Sequence, residues 1–370
     1  MPFGPLSRRG PVRVQPFYGF RTATRVHLDA RAIRSREPNF ETRSFWRDFA
    51  TMVGQYLSRS VPGLEAELEV ALGEGRVERQ SATSDSDGYL RFDLPLPPDS
   101  PSGERTLWQR ARVHWSLPDG SAGEAPAWIL APGSKTRIGV ISDIDDTILE
   151  TGITGSFRMI ARNWKRVMAQ MPSQRIHVPG APAFYAAIGG NPAGSREPAG
   201  AIDALGPRAR VRPVFYVSSS PWNLFSYLVT FKRERGLPLG PVMLRDWGFN
   251  RSTLRSKGHG SHKRAAVERI IAAYPQLRFV LIGDDTQEDL AAFGAIATAH
   301  PGRIAAVFIR SVSGEPLNAA EVRAKSAIEQ AGVPFWIGSD YREAKAFLRS
   351  AELDLEGEVE TLVRTASEGD

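Results

Sequence analysis

The sequence predicts a two-domain protein in which a strand-rich N-terminal domain precedes an α/β domain with a doubly wound parallel sheet. The chain has 370 residues, more than a single hydrophobic core usually serves. The residue pattern changes at the Pro/Gly/Ser stretch 131–135, where short alternating segments give way to apolar runs separated by helical stretches. We therefore predict domains at 1–132 and 136–350, followed by a polar, acidic tail at 351–370.

The first domain contains short segments in which apolar and polar residues alternate, and Asp-Gly turns separate several of them. This pattern is typical of a β-sandwich. The stretch near 42–57 differs, because its aromatic and aliphatic residues recur at a helical period, which predicts one helix. The expected strands are Glu65 to Leu72, Tyr89 to Leu94, Arg110 to Leu117 and Ala127 to Leu130.

The second domain contains continuous runs of Val, Ile and Phe that are linked through helical stretches. Such runs predict a parallel sheet covered on both faces. Ligands of these sheets bind beyond the carboxyl ends of the strands, so the residues that follow each run are the candidates for chemistry. The runs are Arg137 to Ser142, Val214 to Val217, Phe279 to Ile282, Ile304 to Ile309 and Phe335 to Ile337.

Two carboxylates, Asp143 and Asp145, follow the first run and would repel each other without a cation. A hard ion such as Mg²⁺ prefers oxygen ligands and can also hold a phosphate oxygen. A solvated acidic turn is the alternative interpretation. A calcium loop of the EF-hand type is disfavoured, because the required glycine and glutamate are missing from their offsets.

Three further elements follow the first run. Ser218 ends the second run, where a hydroxyl and free N–H groups can hold phosphoryl oxygens or simply start a helix. Lys263 lies in the first turn of a helix predicted to begin near Ser261, where it either reaches a phosphate or stays solvated. A second carboxylate cluster follows the run Phe279 to Ile282, and a parallel sheet can bring this cluster beside the first one. Its members are Asp284, Asp285 and Asp289.

In this order, the four elements resemble the signature of the haloacid dehalogenase superfamily. The resemblance implies a haloacid dehalogenase-like Rossmannoid domain and a phosphatase mechanism. In that mechanism Asp143 is the nucleophile that forms an aspartyl-phosphate, and Asp145 protonates the leaving oxygen and then activates water. Ser218 would bind the phosphoryl group, and Lys263 would neutralise charge on it and on Asp143. Thr147, which closes the acidic run, is counted with these catalytic residues.

The same resemblance implies a magnesium site. Mg²⁺ would be held by Asp143, the backbone carbonyl of Asp145, and Asp284, with Asp285 or Asp289 supporting the ligands.

The flanking residues sharpen the resemblance. The segments 15–20, 142–148 and 215–223 resemble the fungal actin-patch phosphatidate phosphatase family and its bacterial relatives. This likeness implies a role in lipid metabolism, in which phosphatidate is hydrolysed to diacylglycerol. A phosphatase of a soluble phosphorylated metabolite is one alternative, and a non-catalytic scaffold protein is another.

The expected partners are a phosphate-ester substrate and an anionic membrane surface. A net charge of +6 favours anionic partners. The predicted small cap near 150–210 contains a basic amphipathic stretch, which would either close over the site or lie on anionic lipid. No apolar run is long enough to span a membrane and no secretory signal is recognisable, so we expect a cytoplasmic protein, peripheral to the membrane if it binds lipid.

Other ligand classes are less well supported. The chain has no cysteine, which excludes disulfides and thiolate metal sites. The basic stretch before Lys263 lacks a recognisable nucleic-acid-binding module. His259 and His262 in that stretch leave a zinc site as a minor alternative.

Overall fold

The chain divides into two compact units, the first comprising Met1–Ser134 with two short later segments and the second beginning at Lys135. No helix in the described parts of the chain has the length and apolar composition needed to cross a membrane. The computed structural model describes residues 10–35, 59–73, 75–144, 178, 180–190, 207–218, 225–244, 259–286 and 288–355.

The first unit is built on a nine-stranded sheet in which almost all neighbouring strands are antiparallel. Alternate residues of its strands are buried and form a core of Val, Leu, Ala, Phe, Ile and Trp side chains, as expected when one face of a sheet is solvated. The strands are β1 (Val12–Pro16), β2 (Tyr18–Arg21), β3 (Arg25–Arg34), β4 (Arg59–Ser60), β5 (Glu65–Gly73), β6 (Arg76–Thr83), β7 (Tyr89–Pro95), β8 (Leu107–Ser116) and β9 (Ala122–Ala131).

Four of these strands confirm the segments predicted from alternation, with ends shifted by at most five residues: β5, β7, β8 and β9. The sequence analysis missed β1, β2, β3, β4 and β6. Of these, β3 carries a clear alternation that could have revealed it. The arrangement of the strands as a two-sheet sandwich stays a prediction, and the helix predicted near 42–57 lies outside the described residues.

The second unit contains a six-stranded sheet in which every neighbouring pair is parallel. Its order is β12-β11-β10-β13-β14-β15, so the chain moves outward in one direction from β10 and then in the other. Such a reversal creates a crevice at the carboxyl ends of the central strands. The strands are β10 (Ile138–Asp143), β11 (Val214–Ser218), β12 (Val242–Leu244), β13 (Arg278–Asp284), β14 (Ile304–Arg310) and β15 (Phe335–Gly338).

All five predicted apolar runs of this unit are strands, and β11, β13 and β14 are buried almost throughout. The helix predicted near Ser261 is also confirmed. Most of the predicted cap near 150–210, and the tail beyond residue 355, lie outside the described residues. The described helices are α1 (Ala181–Gly189), α2 (Phe225–Glu234), α3 (His259–Ala273), α4 (Asp289–Ala299), α5 (Ala319–Gln330) and α6 (Tyr341–Ser350).

Candidate active site

Three predicted site residues are the last residues of adjacent parallel strands. Asp143 ends β10, Ser218 ends β11 and Asp284 ends β13. The strand register pairs Asp143 with Val217, the neighbour of Ser218. Each of the three residues is at most 2% exposed, although all are polar. The sheet therefore brings them to one edge, as their positions after the apolar runs predicted.

Asp289 reaches the same edge from the first turn of α4. Its Oδ2 atom accepts a hydrogen bond of 3.2 Å from the backbone N–H of Asp284. The approach is close, because a Cβ atom added to Gly283 would lie 2.6 Å from Asp289 Oδ2. Glu288, which caps the helix, has a φ of 63°, a left-handed conformation that is uncommon for a residue other than glycine. The turn before α4 is thus shaped to direct Asp289 towards the end of β13.

Lys263 lies between two of these carboxylates. Its Nζ atom is 2.6 Å from Asp289 Oδ1 and 3.3 Å from Asp143 Oδ1, and its side chain is 2% exposed. Burial by itself lowers the pKa of Lys263, but the carboxylates of Asp143, Asp289 and Asp284 outweigh that effect and raise this pKa above its ordinary value. Lys263 therefore stays protonated beside Asp143.

Asp284 carries the clearest electrostatic signal of the site. Burial, together with the nearby carboxylate of Asp289, raises its pKa to about 7, although Lys263 and Thr286 act in the opposite direction. The backbone N–H and the hydroxyl of Thr286 both donate hydrogen bonds of 2.6 Å to Asp284 Oδ1. A carboxyl whose pKa rises this far is short of neighbouring positive charge. The site therefore favours an additional cation.

The donor set fits Mg²⁺. Asp143, Asp284 and Asp289 each offer a carboxylate oxygen, and these atoms lie within 4.8 Å of one another. All three residues are buried, and Lys263 supplies a single positive charge to them. An all-oxygen, carboxylate-rich cluster suits a hard divalent ion. These three residues could hold the metal that the resemblance implied.

Asp285, the remaining predicted metal residue, has a different environment. Its carboxylate accepts hydrogen bonds from the hydroxyls of Ser311 and Ser313 at 3.0 and 2.8 Å. It also accepts from the backbone N–H groups of Val312 and Ser313 at 2.8 and 3.1 Å. Asp285 is not one of the three clustered carboxylates. Instead, it holds the loop after β14 against the end of β13.

Some site predictions cannot be located. Asp145 and Thr147 lie outside the described residues, as do the side chains of His259 and His262. Conversely, the structure adds residues that the sequence analysis gave no role. Thr286 binds Asp284, and the Ser142 hydroxyl lies within 2.6 Å of both the Asp143 carbonyl and the Tyr185 hydroxyl. Ser142 and Thr286 stand inside the acidic runs, whereas nothing in the local sequence marks Tyr185.

Comparison with known proteins agrees with this site. Residues 138–311 match the model of the catalytic domain of phosphatidate phosphatase APP1, a span that includes all the clustered residues. The chain is 30% identical over 180 residues to phosphatidate phosphatase APP1 of Saccharomyces cerevisiae. It is 26% identical over 183 residues to an uncharacterized protein of Schizosaccharomyces pombe. Each match covers 49% of this chain but 27% and 26% of the relative, so the chain spans about a quarter of these proteins.

Solved structures add no argument about the fold. The PilB minor pilin of Streptococcus sanguinis has a TM-score of 0.25 at 10% identity, over 78% of this chain and 86% of the pilin. A β-glucuronidase of Bifidobacterium dentium has a TM-score of 0.24 at 11% identity, over 88% of this chain and 60% of that chain. Residues 138–311 are therefore similar to the catalytic domain of phosphatidate phosphatase APP1, and the acidic cluster and its lysine lie within that span.

Proposed function

We propose that this protein is a Mg²⁺-dependent phosphatase that hydrolyses phosphatidate to diacylglycerol and inorganic phosphate, with a haloacid dehalogenase-like catalytic domain. The observation that carries the proposal is the convergence of Asp143, Asp284 and Asp289 on Lys263 at the carboxyl edge of the parallel sheet. This cluster lies within the span that matches the APP1 catalytic domain.

In the first step, a carboxylate oxygen of Asp143 attacks the phosphorus atom, and the bond from phosphorus to the diacylglycerol oxygen breaks. Lys263 offsets negative charge on Asp143 and on the phosphoryl oxygens, so that two anionic groups can approach each other. Ser218 contributes its hydroxyl to the phosphoryl group. Bound Mg²⁺ would supply further stabilisation of the charge that develops on the transferring phosphoryl group.

In the second step, a water molecule attacks the phosphorus atom of the aspartyl-phosphate, which releases inorganic phosphate and restores Asp143. The resemblance assigns both proton transfers to Asp145: it protonates the departing diacylglycerol oxygen and then takes a proton from the water. Burial of the cluster keeps other water away from the acyl phosphate until this step.

The identity of the substrate as a lipid is a separate step of the proposal. It is supported by the likeness to the yeast phosphatidate phosphatase APP1 and by the basic amphipathic stretch predicted near 150–210. A cytoplasmic protein that associates with an anionic membrane surface would have access to phosphatidate. Hydrolysis of a soluble phosphorylated metabolite requires the same cluster, so the test must include both substrate classes.

The decisive experiment measures phosphate release by the purified chain, with Mg²⁺ and with excess EDTA. Its substrates are phosphatidate in mixed micelles and a panel of soluble phosphate esters. We expect Mg²⁺-dependent turnover of phosphatidate, and we expect Asp143→Asn to lower kcat by at least about 10³-fold because it removes the nucleophile. Asp99→Asn is the matched control, since Asp99 is an exposed carboxylate in the N-terminal unit. This control should retain full activity.

Two outcomes separate the alternatives. Faster turnover of a soluble ester than of phosphatidate would contradict the lipid substrate but not the proposed mechanism. No turnover of any ester would favour a non-catalytic scaffold protein. Reduction of the reacting enzyme with borohydride provides an independent test of the intermediate. An acyl phosphate should leave homoserine at position 143, detectable by mass spectrometry, and Asp143→Asn should leave none.

A further inference from the structure

Three buried hydroxyl groups form a line behind the proposed nucleophile. The Ser142 hydroxyl donates a hydrogen bond of 2.6 Å to the backbone carbonyl oxygen of Asp143. The Tyr185 hydroxyl lies 2.6 Å from Ser142 Oγ, and Tyr185 is hydrogen-bonded in turn to Tyr341. Each of these three residues has an exposed fraction of 0%. They come from β10, α1 and α6, so three separate elements of the second unit meet at this line.

The direction of every hydrogen bond in the line is determined by chemistry. A carbonyl oxygen can only accept, so the single hydroxyl proton of Ser142 is committed to Asp143. Tyr185 must therefore donate its proton to Ser142, and Tyr341 must donate to Tyr185. Burial raises the pKa of both phenols well above the ordinary value, which keeps them protonated and able to donate. Each hydroxyl therefore donates to the next group in the line, from Tyr341 through Tyr185 and Ser142 to the backbone carbonyl of Asp143.

Aromatic packing fixes the starting point of the line. The Tyr341 ring stacks on Phe184 with centroids 4.7 Å apart and an angle of 11° between the planes. It also stacks on Trp336 at 6.1 Å, while Tyr185 meets the edge of Phe184 at 5.6 Å. Rings held by close packing have few alternative rotamers, so their hydroxyls are preorganised for these hydrogen bonds.

The acceptor at the end of the line matters because of its position. The Asp143 carbonyl belongs to the peptide unit that joins the last residue of β10 to Ile144, so its orientation sets how the backbone leaves the strand at the nucleophile. In phosphoryl transfer most of the catalysis comes from positioning and electrostatics, and an error of about 1 Å can cost about 10²-fold in rate. A hydrogen bond that orients this peptide unit therefore bears on the rate of attack by Asp143.

We propose that Tyr185 and Tyr341 are positioning residues that act through Ser142 to hold the backbone at Asp143 in its reactive orientation. This inference rests on the proposed phosphatase function. It assigns roles to two residues that lie outside the acidic runs.

The test is a set of Tyr→Phe variants assayed with the best substrate of the wild-type protein. Phenylalanine keeps the ring and its packing but removes the donated proton. For Tyr185→Phe and Tyr341→Phe we expect kcat to fall by about 10- to 100-fold, the range seen when outer partners of catalytic groups are removed, with KM little changed. Tyr274→Phe is the matched control, because Tyr274 is only 2% exposed but lies between α3 and β13, before the strand whose other end is Asp284.

A second readout distinguishes positioning from a loss of stability. If the hydroxyls act in series, removing Ser142 disconnects both tyrosines, so Ser142→Ala combined with Tyr185→Phe should be no slower than Ser142→Ala alone. If each substitution instead damaged the structure independently, the losses in kcat of the two single variants would multiply in the double variant. If the tyrosine variants fail to fold, the kcat of Ser142→Ala is the remaining test, and full kcat in this variant overturns the inference.

The outcomes are separable from those of the proposed function. A wild-type protein that hydrolyses no ester overturns the phosphatase proposal and the positioning roles together. An active wild type whose Tyr185→Phe and Tyr341→Phe variants keep full kcat overturns the positioning roles alone. Equal losses in Tyr274→Phe, or multiplying effects in the double variant, would also contradict the inference.

Discussion

The two units of the chain handle charge in opposite ways. In the N-terminal unit, strands such as Glu65–Gly73 alternate buried and exposed residues, and ion pairs such as Arg79–Glu69 lie on the exposed face. In the second unit, strands such as β13 and β14 are buried on nearly every residue, yet charged side chains are buried with them. Burying charge is costly unless the charges are paired. The difference is that the second unit buries a group of opposite charges against one another at the strand ends, whereas the ion pairs of the N-terminal unit are exposed.

The sharpest way to test this contrast is to remove one cation from each unit. Lys263→Met leaves three buried carboxylates without their ammonium partner, which should lower the free energy of unfolding of the metal-free protein by about 3 to 5 kcal/mol. It should also lower kcat by about 10³-fold, because the charge next to the proposed nucleophile is lost. Urea unfolding in EDTA at pH 8 and phosphate release measure the two effects.

The matched control is Arg79→Met, which removes an exposed guanidinium paired with Glu69 at 2.7 Å. Solvent screens such a pair, so neither the unfolding midpoint nor kcat should change measurably. An equal loss of stability in both variants would contradict the claim that the buried cation stabilises its unit more than the exposed one.

Two glycines sharpen the comparison, because each is crowded by a side chain. A Cβ atom at Gly283 would lie 2.6 Å from Asp289 Oδ2, and one at Gly123 would lie 2.4 Å from the ring of Trp115. Gly283→Ala and Gly123→Ala should each lower the free energy of unfolding by about 1 to 3 kcal/mol through overpacking.

Their effects on activity should differ. Gly283→Ala displaces the carboxylate of Asp289 and should weaken Mg²⁺ activation, measured as a higher metal concentration for half-maximal rate. Gly123→Ala displaces a tryptophan of the strand-rich unit and should leave metal activation unchanged. Weakened metal activation in both variants would show that the two units are not separable in this way.

The smallest expected effect concerns Lys232, a buried lysine that the proposed reaction does not use. Its Nζ atom lies 3.8 Å from the centroid of the Tyr216 ring and has no hydrogen-bond partner among the described residues. Burial lowers its pKa from 10.5 to about 7. The folded protein therefore binds fewer protons than the unfolded chain between these two values, and its stability rises with pH across that window.

Lys232→Met should remove this pH dependence and raise the free energy of unfolding near pH 7 by about 1 to 3 kcal/mol, because it removes an unsatisfied buried polar group. Urea unfolding at pH 7 and pH 10 gives the comparison. Turnover should stay at the wild-type level. A variant less stable than wild type at pH 7 would mean that the contact with Tyr216 outweighs the cost of burial.

Much of the second unit could be predicted because its signals are local. Val214–Ser218 is a buried apolar run, and the polar residue at its end lies where a parallel sheet places chemistry. The same logic located Asp143 and Asp284. Lys263 needed one further step, since its role depends on which face of α3 meets the sheet.

Other features depend on packing that local sequence does not contain. Asp285 and Asp289 look equivalent in the acidic run. In the structure, Asp289 joins the cluster with Asp143 and Asp284, whereas Asp285 is hydrogen-bonded to the loop after β14. Tyr185 and Tyr341 are 156 residues apart, and the hydrogen bond between them forms only in the folded unit. In the N-terminal unit, the polar strand β6 was missed because none of its residues is fully buried.

The pairing of Lys263 with two carboxylates has a consequence for the order of events. With all three carboxylates ionised, one ammonium leaves the cluster with two uncompensated negative charges. A phosphate ester that arrives first would be repelled by a site of its own sign. On the proposed function, the divalent cation must therefore arrive before the substrate, and the kinetics should follow a compulsory sequence in which the metal complex is the species that recognises phosphate.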